Sequence, residues 1–186
     1  MLWPEALSIV DDPAHPLMPS LSFDGEGTPK QRTVLVERGR LGRPVTDRQY
    51  AKKRGEISTG HALAQPSVSG PLPQNMVVDC GEHSLEQLIG GVERGLLVSQ
   101  FHYTNAIDPK ELLLTGMTRN GTFLIEAGRI VGPVKNLRFT QSLIEALAGL
   151  SGVGRHAEVA GALFDGEIVT PPLRLDRFRF TSATDF

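Results

Sequence analysis

The sequence predicts an α+β fold in which an antiparallel β-sheet or open barrel dominates, with two helices on its flank. Three observations carry this. The phrase "TVLVERGRLGRPV" (33–45) recurs as "TFLIEAGRIVGPV" (122–134), with Thr33/Thr122, Leu35/Leu124, Glu37/Glu126, Gly39/Gly128, Arg40/Arg129, Pro44/Pro133 and Val45/Val134 identical. In the first copy Thr33, Leu35 and Glu37 alternate with Val34, Val36 and Arg38, a period of two with β-branched enrichment that argues for strands. Each copy is followed by a segment with helix start and stop signals. Because Glu, Gly, Arg and Pro recur at the same offsets as the apolar positions, the repeat is a duplicated β-hairpin–helix unit rather than a chance likeness of two hairpins. One such unit cannot bury its apolar face alone; two packed about a pseudo-twofold axis would share a core.

Along the chain, Leu7–Val10 reads as a short strand, and "FDGEGTP" (23–29) supplies turn residues. The first hairpin runs from Thr33, turns at Arg38-Gly39 where Gly accepts positive φ, and returns over Leu41–Val45. "TDRQYAKKRG" (46–55) predicts a helix capped by Thr46 or Asp47 and stopped by Gly55. Residues 56–74 form a loop rich in Gly, Pro and Ser, long enough to be functional or mobile. "NMVVDC" (75–80) predicts a strand, and "SLEQLIGGVERG" (84–95) a helix with Ser84 as cap, Gln87 in the capping box and Gly95 as stop. On it Leu85, Leu88, Ile89 and Val92 share a core-facing side, and Gly90-Gly91 implies a closely packed backbone. Strands are predicted over 96–103 and 111–119, then the second hairpin turning at Ala127-Gly128. A helix over 140–150 capped by Thr140 follows, and a terminal strand over 171–180.

Composition narrows the function. The 186 residues read as one domain, 1–186, burying roughly 70% of the unfolded surface. A net charge of −2 gives no field for nucleic acid or an anionic membrane, and Lys52-Lys53-Arg54 is too short a basic run to count as a footprint. Cys80 is the single cysteine, which rules out an internal disulfide and fits a reducing cytoplasm. No apolar run approaches the ~18 residues of a membrane span.

Few residues offer chemistry. His15, His61, His83, His102 and His156 are scattered, with no i, i+4 pair to hold a metal on one helix face. Cys80 and His83, three apart, read better as a small thiol beside an exposed histidine than as a chelate. "GVGRHA" (152–157) matches dinucleotide-binding letters but follows a helix, outside any βαβ unit. No metal or catalytic residue is assigned. Two stretches are candidate ligand-binding surfaces: "STGHA" (58–62), with His61, and "FHYTNAIDP" (101–109), with His102, Tyr103, Asn105 and Asp108, joined by Arg119 and Asn120. Turn chemistry is the competing explanation for the Asn and Asp.

The segment "GLLVSQFHYTNAIDPKELLLTGMTRNGTFLIEAGRIVGPVKNLRFTQSLIEAL" resembles the C-terminal region of the TldD/PmbA metallopeptidase-related family, once called modulators of DNA gyrase. "FDGEGTPKQRTVLVERGRLG" and "STGHA" are similar to the same family, the latter to its PmbA (TldE-like) branch. The likeness runs from about Ser8 to "PPLRLDRFRF" and is most specific in "TRNGTFLIEAGRIVGPVKNLRF". The resemblance implies longer relatives with an N-terminal domain. In the TldD branch it implies an HExxxH helix whose histidines, with a cysteine near the C-terminus, bind zinc. None of these residues has a counterpart here, and the PmbA branch also lacks the zinc motif. The expectation is therefore a non-catalytic scaffold or partner subunit without a cofactor of its own, any zinc being supplied by a partner chain. It would form a homo-oligomer or a hetero-complex with a TldD-like chain, with a peptide as ligand, in the cytoplasm. Half of a split zinc metallopeptidase is the alternative, as is a tailoring enzyme of natural-product biosynthesis using a site near His61, His102 and Arg119.

Overall fold

The structure, a computed structural model, describes residues 2–18, 20–163 and 166–183. In chain order its elements are β1 (Ile9–Asp11), β2 (Thr33–Glu37), β3 (Arg40–Leu41), α1 (Arg48–Arg54), β4 (Asn75–Val78), α2 (Leu85–Gly90), β5 (Arg94–Asp108) and β6 (Leu113–Glu126). There follow β7 (Arg129–Pro133), β8 (Leu137–Ser142), α3 (Leu143–Ala148), β9 (Leu150–Val153), β10 (Glu158–Leu163), β11 (Gly166–Thr170), β12 (Leu173–Leu175) and β13 (Phe180–Ala183). The fold is α+β and dominated by antiparallel strands, as the period-two segments require. None of its described helices is long and apolar enough to cross a membrane.

The chain divides into two compact units, one comprising Glu5–Cys80 and His156–Pro171, the other Leu2–Pro4, Gly81–Arg155 and Pro172–Phe186. The first carries a six-stranded sheet in the order β10-β11-β4-β1-β2-β3, antiparallel except for the β11–β4 pair. Val10, Met18, Val77 and Val169 form its buried cluster, with Val34 and Ala157 packed against it. The second carries a sheet in the order β13-β8-β6-β5, with β7 also paired to β6, and a small β12–β9 sheet. Its buried side chains include Leu88, Ile125, Phe139, Ala146 and Leu150. Phe139 meets Phe101 edge-on at 4.9 Å between ring centroids, and Phe101 stacks on Phe178 at 5.3 Å.

One copy of the repeat sits in each unit, built the same way. Glu37 faces Arg40 and Glu126 faces Arg129 across two-residue loops. Both loop residues have positive φ: 46° and 73° at Arg38 and Gly39, 46° and 74° at Ala127 and Gly128. Two such residues in succession match the twist of the flanking strands, which is why the hairpin closes so tightly. The repeat also extends backwards. Antiparallel β1 lies against β2, and antiparallel β5 against β6, so each copy is a three-stranded meander. Even the turns are held alike: Gly39 N–H donates to Leu7 O at 2.8 Å and Gly128 N–H to Val92 O at 2.8 Å.

Several boundaries differ from expectation. The first hairpin returns only over Arg40–Leu41, because Gly42 lies so close to Val34 that a Cβ would sit 2.2 Å from its carbonyl oxygen. Helix α1 is capped by Asp47, whose side chain accepts from the Tyr50 N–H, and ends at Gly55 with φ 68°. Ser84 and Gln87 form the expected capping box on α2, yet the helix stops at Gly91, not Gly95, since the glycine pair weakens it and β5 already begins at Arg94. Of its apolar stripe only Leu88 is buried, and Leu85 is exposed. Thr140 is not a cap; it pairs with Thr115 inside the β-rich run of β8, and Ser142 caps α3. Residues 111–119 are not a separate strand, because β6 continues unbroken into the second hairpin. The terminal segment splits into β12 and β13, and β9, β10 and β11 have no predicted counterpart.

The second hairpin turn is more crowded than the end of α1. A Cβ on Gly128 would lie 2.8 Å from Gly90 O, whereas one on Gly55 would meet nothing within 4 Å. Left-handed backbone costs a non-Gly residue about 1–2 kcal/mol. Gly55→Ala should lose that amount in urea unfolding, and Gly128→Ala clearly more, from the added clash.

Candidate functional site

Two groups of polar residues hold the candidates, one in each unit. In the first, "STGHA" is a bracket in which every residue has an internal partner. Ser58 Oγ donates to Thr46 O at 3.0 Å, and Thr59 Oγ1 accepts from Thr46 N–H at 2.7 Å. Gly60, at φ 73°, passes so near Pro29 that a Cβ would be 2.3 Å from its carbonyl oxygen. Ala62 N–H donates to Asp24 Oδ2 at 2.9 Å, while Asp24 Oδ1 accepts from the amides of Glu26 and Thr28 and so shapes the "FDGEGTP" turn. His61 is 1% exposed. Its Nε2 lies 3.0 Å from Asp11 Oδ1 and its Nδ1 2.9 Å from Thr59 Oγ1.

Asp11 is the hub. Its Oδ2 accepts the Gln74 and Asn75 amides, each at 2.8 Å. Burial pushes its carboxyl up, but the His61 hydrogen bond, the two amides and the attraction of His61 outweigh this and hold it below the ordinary aspartate range. Beside it Lys30 donates from Nζ to Ser20 Oγ at 3.1 Å and reaches Gln74 Oε1 and Asn75 Oδ1 at 3.5 Å. Burial pulls its ammonium down, against the opposing pull of Asp11 and Asp24. The Asp11–His61–Thr59 chain has the connectivity of a proton relay. With Thr59 only 2% exposed, no substrate reaches its hydroxyl, and the arrangement acts as internal bracing.

The second group lies on the ribbon of β5 and β6. Its register is uneven in a telling way. Val98 pairs with Thr122, then Gln100 with Arg119, so β6 carries one extra residue. His102 pairs with Met117, then Asn105 with Thr115, so β5 carries one extra and the original register returns. Between these bulges three pairs, Gln100–Arg119, Phe101–Thr118 and His102–Met117, stand shifted by one residue. A third irregularity follows between Ala106 and Asp108; each such bulge bends the strand that carries the extra residue. The bulged residues include Tyr103 at φ 50° and Asn120 at φ 59°; for a bulky side chain such as Tyr103 that backbone is strained.

What the block presents is mostly open. His102, Tyr103, Met117, Thr118, Arg119 and Asn136 line a depression of about 290 Å³. Arg119 Nη1 donates to His102 Nε2 at 2.5 Å, and the His102 and Tyr103 rings tilt together at 4.4 Å between centroids. The floor is Thr118, fully buried, whose hydroxyl accepts from Thr122 Oγ1 at 2.7 Å and Leu137 N–H at 2.9 Å.

Of the predicted site residues, then, His102, Tyr103 and Arg119 come together, while His61 belongs to the buried bracket of the other unit. Asn105 donates to Tyr103 O at 2.9 Å and fastens the bulge. Asp108 accepts from the Lys110 amide at 2.8 Å, which is turn chemistry. Asn120 donates to Gln100 Oε1. Sequence reasoning missed Met117, Thr118 and Asn136: nothing in an alternating strand announces a bulge that turns its neighbours into a pocket wall. For a metal, no group of three or more His, Cys, Asp or Glu among the described residues could hold an ion. Cys80 is exposed, and His83 Nδ1 lies 3.3 Å from Val153 O. These donors do not fit a zinc site.

Residues 1–182 match the family described as the PmbA/TldA metallopeptidase C-terminal domain. The chain belongs to this family. It is 31% identical over 139 residues to the metalloprotease TldD homolog of Buchnera aphidicola subsp. Acyrthosiphon pisum, covering 73% of this chain and 28% of that protein. A metalloprotease of Methanothermobacter thermautotrophicus is 29% identical over 154 residues, covering 81% of this chain and 33% of the relative. The crystal structure of TldE from Thermococcus kodakarensis superposes with a TM-score of 0.81 at 28% identity, over 96% of this chain and 40% of that one. The chain thus spans well under half the length of the relatives it matches.

Asp11 gives the bracket a definite pH dependence. A carboxyl held below its unfolded value, about 3.9, stabilises the fold above that pH and loses the contribution as pH falls through the folded pKa. Asp11→Ala, which leaves His61 and two amides without their acceptor, should cost about 3–5 kcal/mol at pH 7. The gap to the wild type should narrow below about pH 4 in urea titrations; a constant gap would contradict the assignment.

Proposed function

We propose that this chain acts as a non-catalytic, scaffold-type partner subunit of a TldD/PmbA peptidase, with residues 1–186 forming one C-terminal-type domain. The observation that carries the reading is the match of residues 1–182 to the C-terminal domain family, in a chain whose described donors do not fit zinc. On this reading zinc and the hydrolytic machinery belong to a second, TldD-like chain in a cytoplasmic complex, or the chain self-associates. The β5–β6 ribbon serves as the ligand-binding surface, with His102, Tyr103 and Arg119 contacting a peptide, Asn105 holding the bulge, and His61 bracing the other unit.

The names of the two curated relatives, both metalloproteases, favour a second reading. Here the chain is half of a split metallopeptidase and completes the substrate groove of its partner. The readings share an expected outcome: the purified chain alone hydrolyses no peptide, and mixing with a TldD-like chain yields a complex by sedimentation analysis. They part on activity. A scaffold leaves the partner's turnover of a fluorogenic peptide within about twofold, whereas a groove-completing half raises it by orders of magnitude. Chelator-sensitive hydrolysis by the isolated chain would defeat both.

A further inference from the structure

The block between the two bulges has a chemistry of its own. Arg119 is exposed, and no carboxylate among the described residues lies within ion-pair distance of it. One of its nitrogens is committed to His102 Nε2. Because a guanidinium only donates, that contact makes Nε2 the acceptor and places the neutral ring's proton on Nδ1. The remaining guanidinium N–H groups and His102 Nδ1–H are donors, and none of the six lining residues is acidic. Met117 and the two aromatic rings supply apolar wall beside them. A depression of about 290 Å³ is at the lower end of what small ligands occupy, room for one amino-acid residue rather than a long segment.

From this we infer that the block is a carboxylate-binding site, in which Arg119 and His102 hold a terminal carboxylate and Met117, Tyr103 and the histidine ring take the apolar side chain attached to it. The inference rests on the ribbon being the ligand-binding surface and names the chemical class it takes. Acceptor-only carboxylate oxygens complement the exposed guanidinium at the edge of a mostly apolar depression, and the planar guanidinium matches a carboxylate in two parallel hydrogen bonds. The paired bulges are an independent observation pointing the same way. They offset the pairing of Gln100–Arg119, Phe101–Thr118 and His102–Met117 by one residue, before the earlier register returns at Asn105–Thr115. Such a carboxylate could belong to the C-terminal residue of a peptide or to a free acylated amino acid; the shared feature is an unamidated carboxyl next to an apolar side chain.

The test is calorimetric titration of the full chain with three probes: N-acetyl-Ala-Ala-Leu as the free acid, the same peptide as its C-terminal amide, and N-acetyl-leucine. The free-acid peptide should bind at least about tenfold tighter than the amide, the loss expected for one charge-assisted hydrogen bond. Arg119→Gln should remove that preference and Arg119→Lys restore part of it, with unchanged thermal melting because the side chain is exposed. N-acetyl-leucine binding as tightly as the peptide would support the site and assign it to small acids; much weaker binding would support it and assign it to peptide ends. Equal affinity for acid and amide, or an Arg119→Gln variant that keeps the preference, overturns the carboxylate assignment while the ribbon stays a peptide surface. Failure of all three probes overturns both.

Discussion

Two consecutive residues of positive φ at each hairpin tip are the constraint on which the two sheets depend. A two-residue loop leaves no slack in register: once Glu37 faces Arg40, Val36 must face Leu41, and once Glu126 faces Arg129, Ile125 must face Ile130. Because side chains alternate across a strand, that fixes which of them go inward, and Val36 and Ile125 are both buried. Each hairpin then offers the free edge of its first strand to the segment before it, β1 or β5, and the meander is complete. The turn amides donated to Leu7 and Val92 tie the tip back to that same preceding segment. A local dihedral preference thus propagates into sheet order, and it explains why Gly, Glu and Arg recur along with the apolar positions.

The two polar groups of the molecule obey opposite energetics. Around Asp11 every partner is internal and the side chains are out of water, so each hydrogen bond replaces one lost to solvent and the group is worth most when complete. Access by a ligand would require breaking it. On the ribbon, by contrast, Arg119 and Tyr103 keep their contact with water and engage few internal partners, so a ligand can take up their remaining capacity without dismantling the fold. Burial is what separates the two groups: His61, in a glycine-rich loop, is enclosed, while Tyr103 and Arg119 stay exposed.

Much of this was legible in the residues. The duplicated hairpins, the α1 and α2 caps and the β4 strand follow from period, turn chemistry and capping, all of which act over a few neighbouring residues. What resisted was set at longer range. Strand β6 runs through Asn120-Gly121, which by local rules should end it, because β5 pairs with it on both sides of the break. Thr140, a plausible cap, becomes a strand residue because β6 lies beside it. The short β9, β10 and β11 carry little periodicity and exist by virtue of neighbours distant in sequence, as in the parallel pairing of β11 with β4. For the candidate site, His102, Tyr103 and Arg119 were visible as residue types, but the wall of Met117, Thr118 and Asn136 depends on a register shift that no single strand encodes.

That register shift also has an energetic side. A ribbon without bulges would keep Val98 opposite Thr122 and Ala106 opposite Leu114 along an unbroken ladder, since the flanking registers already agree. The fold therefore gains no alignment from them. They cost ladder hydrogen bonds and put Tyr103 and Asn120 in left-handed backbone, roughly 1–2 kcal/mol for a side chain such as tyrosine. Set against a stability of about 5–15 kcal/mol for a whole domain, that is a substantial local cost. In the same stretch the guanidinium of Arg119 lies against the imidazole of His102, above the buried Thr118. The left-handed backbone at Tyr103 and Asn120 is thus a local cost that the pairing of the flanking strands does not itself require.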